Sequence, residues 1–228
     1  MELKELYNNR FKYEDKKRNA IWRVLCNSFF QKFISEKDVV IDIAAGRCEF
    51  INNIKASEKY AFDLNPDVIN YAQKNVNAVN ASCFELKERF LGKKADTIFI
   101  SNFFEHLDTK EDVIKVLHIC SDILAENGQI IILQPNIKYV KGAYWDFIDH
   151  KLALTDLALI EAGQIYGLKV KKLIKRFLPY TTKSKLPQTS WIVWLYLKLL
   201  PFSGVLGGGA QSLIILEKTD VDYYNSCL

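Results

Sequence analysis

Between about residue 14 and residue 135, short apolar runs of strand length alternate with stretches of helical periodicity. Units of this length call for parallel strands joined by helical crossovers, so helices must cover both faces of the sheet. The spacing predicts a helix over 19–34, with Ile21, Val24, Leu25, Phe29 and Phe33 on one side. A first strand follows in DVVIDI, then a short helix over 49–55 and a second strand from Lys59 to Asp63. Pro66 suits the opening of a helix running through DVINYAQKNV. A third strand is predicted over Val79–Phe84 and a fourth over 96–101. A helix over 110–125 is closed by Glu126-Asn127-Gly128, and QIIILQP is the fifth strand. Residues 210–218, AQSLIILEK, read as a last strand closing the sheet.

Composition sets the outer limits. With 49% hydrophobic and 25% charged residues the chain is globular, and 228 residues fit one α/β domain. Within it we expect a helical extension (1–37), a core (38–135), a substrate-side segment (136–209) and the last strand (210–218). A net charge of +4 is too small to imply nucleic-acid binding. The five cysteines are scattered with no CxxC pair, so we expect neither a metal site nor a disulfide framework, and a reducing cytoplasm fits. The N-terminal stretch is charged and lacks the apolar core of a signal peptide. The apolar run Trp191–Leu206 is broken by Lys198 and Pro201, short of the roughly 20 residues a membrane-spanning helix needs.

Ligands of parallel α/β sheets sit beyond the carboxyl ends of the strands. After the first strand the chain reads Asp42-Ile43-Ala44-Ala45-Gly46-Arg47-Cys48, a loop of small residues that lets a ligand approach the backbone and a helix N-terminus. Asp63 follows Gly46 by 17 residues, at the end of the second strand, where a carboxylate can accept both vicinal hydroxyls of a ribose. The loop fails the GxGxxG dinucleotide pattern at two places, and no P-loop sequence occurs.

These residues resemble the class I S-adenosylmethionine-dependent methyltransferases. Asp42 matches the acid of their first motif and Gly46 its middle glycine, while Ala44 and Cys48 replace the outer two. Asp63, in AFDLNPD, matches the ribose-binding acid, and Ser82-Cys83 falls beside the adenine position. Ser101-Asn102-Phe103-Phe104-Glu105-His106-Leu107 looks like the segment after strand four, which in one branch ends in Glu-His. The likeness is close over residues 38–135. It implies a Rossmann-like three-layer α/β sandwich with a mostly parallel seven-stranded sheet, an antiparallel last strand, and helical additions at the N-terminus and before that strand. It also implies S-adenosylmethionine as cofactor, S-adenosylhomocysteine as product, and a cofactor set of Asp42, Ala44, Ala45, Gly46, Asp63, Leu64, Asn65, Ser82, Cys83, Ser101, Asn102, Phe103 and His106. Ala44 fits such a loop if its φ stays negative, and the Ser82 hydroxyl can stand in for a missing adenine-amine acceptor.

After the fifth strand, residues 135–155 crowd Tyr139, Tyr144, Trp145 and Phe147 among Asp146, Asp149 and His150. Aromatic faces with interleaved carboxylates suit a sugar ring, and the segment equally reads as a loop tied down by its own aromatics. YWDFIDHKLALT resembles methyltransferases of glycan and polysaccharide biosynthesis. The expected acceptor is therefore a sugar hydroxyl, with Asn136, Tyr139, Tyr144 and Trp145 facing it. His150 is the candidate base, since an imidazole titrating near neutrality is a natural acceptor for the hydroxyl proton; Asp149 or Asp146 would orient or replace it. His106 either lines the pocket or holds its loop, and His118 is structural. A small metabolite or an amine is the alternative acceptor, and a non-catalytic cofactor-fold module is permitted by Ala44 and Cys48. Seven basic residues between Lys169 and Lys185, with no acid among them, precede the apolar SWIVWLYLKLL. That pairing suits an anionic membrane surface, and equally a solvated strip beside a packed helix.

Overall fold

In a computed structural model of the chain, residues 15–179, 190–199 and 209–218 are described. Lys183, Lys185, Pro201, Leu206, Cys227 and the N-terminal 14 residues lie outside them. The apolar strands do what period-two geometry dictates: successive side chains enter opposite core layers. Ile98, Ile100, Ile130, Ile132, Ile214 and Leu216 enter one layer. Phe99, Ile131, Leu133, Leu213 and Ile215 enter the other.

In chain order the elements are α1 (Asp15–Ser28), β1 (Val39–Ile43), α2 (Glu49–Asn53), β2 (Glu58–Asp63), α3 (Val68–Tyr71), β3 (Asn77–Asn80), α4 (Leu86–Arg89) and β4 (Ala95–Ser101). Then come α5 (Lys110–Ile123), β5 (Leu124–Pro135), α6 (Ile137–Val140), α7 (Asp156–Gln164), β6 (Leu168–Leu178), α8 (Ser190–Leu199) and β7 (Gln211–Lys218). The seven strands form one sheet in the order β3-β2-β1-β4-β5-β7-β6. β1 to β5 pair in parallel, and β7 runs antiparallel to both β5 and β6. The expected architecture is therefore present. The chain steps from β1 outward through β2 and β3, then returns to β4 on the other side of β1. That reversal opens a crevice at the carboxyl ends of β1 and β4.

α5 shows how local sequence sets an element. Thr109 and Asp112 form a reciprocal capping box, worth about 1 kcal/mol. Val113, Val116, Leu117 and Cys120 then recur at helical spacing and are buried. On the opposite layer Phe50 stacks on Phe99 at 3.6 Å between centroids, with Phe30 and Trp22 edge-on to Phe99. This aromatic block fixes α1 and α2 beneath the β1 loop.

Several elements differ from the sequence reading. The helix after Pro66 ends at Tyr71 because the Asn52 amide donates to the Tyr71 carbonyl and accepts from the Gln73 amide, turning the chain outward. The third strand covers Asn77–Asn80 instead of reaching Phe84, since Ser82 and Glu85 form a capping box that starts a 3-10 turn. The helix over 110–125 ends at Ile123, and Leu124 already pairs with Ala95 in the sheet. The strip 168–178 is the edge strand β6, with Lys169, Lys171, Lys172, Lys175 and Arg176 exposed. α8 is two-sided: Val193, Tyr196 and Leu197 pack on the core, and the Tyr196 hydroxyl donates to the Phe177 carbonyl at 2.6 Å. Trp191 and Trp194 on its other side are 64% and 48% exposed. Among the described residues no helix is long and apolar enough to cross a membrane.

Candidate functional site

The loop after β1 is built from left-handed residues. Ala44, Gly46 and Cys48 have φ of 55°, 54° and 58°. Ala44 thus departs from the negative φ that its side chain favours, and the alanine is held in strain at a position that suits glycine. Cys48 caps α2 in the same conformation, its buried thiol donating toward the Val68 carbonyl at 3.8 Å. At Gly46 a Cβ would meet no atom within 4 Å, so the backbone there faces open space.

Asp63 closes this cradle from β2. One carboxylate oxygen accepts the Gly46 amide and the other the Asn65 amide, both at 2.7 Å. Burial raises the Asp63 pKa, and those two amides oppose the rise. Asp42, at the base of the loop, is fully buried. Burial, then the neighbouring Asp63 and Glu49 carboxylates, push its pKa well up, against one hydrogen bond from the Ile51 backbone. Ala45 is buried, Leu64 is exposed beside the cradle, and the Asn65 side chain caps the Asp67 amide at 3.0 Å.

Ser82 and Cys83 follow β3. The Ser82 hydroxyl accepts the Phe84 amide at 3.2 Å, and burial pushes the Cys83 thiol up to about 11, so it stays a thiol at neutral pH. After β4, Asn102 is again left-handed, with φ 48°; its amide donates to the Leu133 carbonyl and its side chain to the Ser101 hydroxyl, each at 2.9 Å. Phe103 packs against the core and on Phe104.

The next turn brings three ionisable groups together. Glu105 is 1% exposed, and Gln134, at the end of β5, donates to it at 2.9 Å. Burial raises the Glu105 pKa, and His106 is the largest influence in the other direction. The His106 ring sets Nδ1 at 3.0 Å from the Asp149 carbonyl and 3.5 Å from its carboxylate, while Nε2 lies 4.0 Å from Glu105. His150 packs edge-on to His106 at 5.1 Å, and Phe147 stacks on the His150 ring, also at 5.1 Å. The segment is folded back onto the turn after β4 because the Lys151 and Leu152 amides both donate to the Glu105 carbonyl.

Of the residues expected to face an acceptor, the structure joins Asp149 and His150 to His106, whereas Asp146 is exposed. Asn136 is buried; its amide donates to Asp156 and Ser212 and its oxygen accepts from Lys138, so it is a clasp joining β5, α7 and β7 with no donor left for a substrate. Tyr144 is fully buried and donates to the Leu152 carbonyl, which makes it the core of its own segment. Tyr139 lies under the Arg176 guanidinium at 5.2 Å, and Trp145 is exposed. His118, on α5, stacks on Tyr166 well away in sequence from these groups. Sequence reasoning left Glu105 and Gln134 out of the site. The signals were the acid before His106 and a lone amide closing the most apolar strand.

Comparison with solved structures decides the fold. A SAM-dependent methyltransferase from Archaeoglobus fulgidus superposes with a TM-score of 0.66 at 20% identity, over 95% of this chain and 100% of that one. The chain has the methyltransferase fold. A possible histamine N-methyltransferase from Thermotoga maritima gives a TM-score of 0.62 at 15% identity, over 93% and 98% of the two chains. The plantazolicin methyltransferase BamL, in complex with a triazolic desmethylPZN analog and SAH, gives 0.59 at 15%, over 94% and 89%. Residues 41–132 also match the methyltransferase domain family. No curated protein matches the chain. The Archaeoglobus and Thermotoga structures are of SAM-dependent enzymes, and the cradle of this chain fits S-adenosylmethionine. The Gly46 backbone faces open space, and Asp63, although it accepts two amides, retains lone pairs for ribose hydroxyls.

Proposed function

We propose that the chain is an S-adenosylmethionine-dependent O-methyltransferase whose acceptor is a hydroxyl, as in a saccharide. The observation that supports this reading most is the pairing of two sites at the reversal of strand order. The open Gly46–Asp63 cradle lies after β1 and β2, and the Glu105–His106–His150 group follows β4, the strand beside β1. S-adenosylmethionine supplies the activated methyl group when bound. The chain then has to hold the acceptor, exclude water and take the hydroxyl proton as the carbon–oxygen bond forms. His150, braced by Phe147, Tyr144 and His106, is the group we assign to receive that proton, with Asp149 holding His106. The exposed Trp145 ring offers a stacking face for a sugar. The exposed Trp191 and Trp194, with the lysines of β6, are suited to rest on an anionic membrane carrying a lipid-linked acceptor.

The test has two parts. Calorimetry should show S-adenosylhomocysteine binding, and labelled methyl transfer should favour hydroxyl-bearing saccharides over amines. His150→Ala should lower turnover by about 10²-fold with unchanged S-adenosylhomocysteine affinity. A wild type that binds no S-adenosylhomocysteine at millimolar concentration would leave a non-catalytic module. Preferential transfer to amines would overturn the hydroxyl assignment.

A further inference from the structure

Glu105 poses a problem that the methyl-transfer reading does not solve. Its carboxylate is buried, and among the described residues no lysine or arginine pairs with it. Two neutral groups, the Gln134 amide and its own backbone amide, donate to it. A buried carboxylate is stable only when a cation or several donors compensate for lost water. What faces it instead is imidazole. Ligand atoms of Glu105, His106 and His150 all lie within 4.8 Å of one another. The Gln134 side-chain oxygen, beside them, is buried without a hydrogen-bond partner.

We propose that Glu105, His106 and His150 bind a divalent transition-metal ion of the zinc type at the carboxyl end of β4. Two imidazole nitrogens and one carboxylate oxygen are the donor set of open metal sites, which keep a further position for water or substrate. The tautomer is already arranged. His106 Nδ1, at 3.0 Å from the Asp149 carbonyl, is the ring's hydrogen-bond donor, which leaves the Nε2 lone pair facing Glu105. Gln134 steadies the carboxylate from behind. A tetrahedral ion with bonds of about 2.0–2.2 Å holds ligand atoms about 3.3–3.6 Å apart. The three groups therefore need to close by no more than roughly 1.5 Å, a side-chain adjustment. The site stands on this geometry alone; its role in catalysis rests on the proposed methyl transfer. There the ion would hold the acceptor hydroxyl at its open position and make its proton easier to lose to solvent; with the ion bound His150 is a ligand, and the proton-accepting role given to it above applies to the ion-free site.

The test uses the full chain without an affinity tag, stripped with EDTA and titrated with Co²⁺. One equivalent should bind, with visible d–d absorption of a low-coordinate nitrogen–oxygen site and no near-ultraviolet thiolate charge transfer. Glu105→Gln, which keeps shape and fold, should weaken binding by more than the roughly 10–100-fold typical of outer-shell losses, as should His150→Ala. His118→Asn should change nothing. Absence of Co²⁺ binding to the wild type, thiolate bands, or binding that survives both Glu105→Gln and His150→Ala overturns the site. S-adenosylhomocysteine calorimetry on the same metal-free protein separates the two readings. Cofactor binding without Co²⁺ binding removes the metal site and leaves the methyltransferase. Co²⁺ binding at the triad without cofactor binding supports the site and removes its catalytic role.

Discussion

Asp63→Asn probes the cradle most directly, because each carboxylate oxygen has a backbone partner at 2.7 Å. Asparagine keeps one oxygen and turns an NH₂ toward the other amide, so one bond is lost and the remaining one loses its charge. Hydrogen bonds to charged groups contribute about 1.5–3 kcal/mol. Against this, burial has already raised the Asp63 pKa, so a neutral side chain relieves some desolvation. The net cost falls near the low end, about 1–2 kcal/mol, or a melting temperature about 2–8 °C lower for a chain of this size. Cofactor affinity should fall further, because a ribose hydroxyl loses its charged acceptor: about 1.5–3 kcal/mol, or roughly 10–150-fold in Kd. Asp63→Ala orphans both amides and should be worse on both measures. Calorimetry with S-adenosylhomocysteine and thermal melts of the free protein read the two effects separately. A folded Asp63→Asn protein whose S-adenosylhomocysteine affinity stays within threefold of wild type would refute the placement of the ribose.

Ala44→Gly should stabilise the free protein. A left-handed alanine costs about 1–2 kcal/mol, partly offset by about 0.4–1 kcal/mol of glycine chain entropy, so thermal melts should rise by up to about 6 °C. Asp42, whose folded pKa lies well above that of the unfolded chain, favours folding below the ordinary carboxylate range and loses that contribution as pH rises through the raised value. Asp42→Asn, which keeps an acceptor for Ile51, should therefore raise stability at pH 8 and flatten the gain seen toward pH 5; an unchanged pH profile rejects the assignment. At low salt the protein should co-sediment with anionic vesicles and detach at high salt, and charge reversal at Lys171, Lys172 and Lys175 should abolish binding. Sedimentation that survives the reversal removes the electrostatic part of the membrane reading.

The core was legible because its apolar strands are long enough to show parity: QIIILQP and SLIILEK send alternate residues to opposite layers, as the contacts show. β6 was not legible. Its side chains are mostly exposed at the sheet edge, so lysines occupy positions where a buried strand would alternate. The early end of α3 was also hidden, because the side chain that stops it belongs to Asn52, in a different element.

The site divides along the same line. Asp42, Gly46 and Asp63 were readable because a strand end and a fixed spacing place them. Glu105, His106 and His150 belong to one cluster only because the Lys151 and Leu152 amides fold the segment after β5 onto the Glu105 carbonyl. No local pattern encodes that contact. Backbone strain shows a similar concentration. Among the described residues four non-glycine residues have positive φ, and of these Ala44, Cys48 and Asn102 sit in the loops after β1 and β4. Such residues persist only where surrounding structure over-determines them. The same two strands bound the crevice at the reversal of strand order, so the places where local preference is overruled are the places a ligand would occupy. That coincidence is independent of any likeness to other proteins.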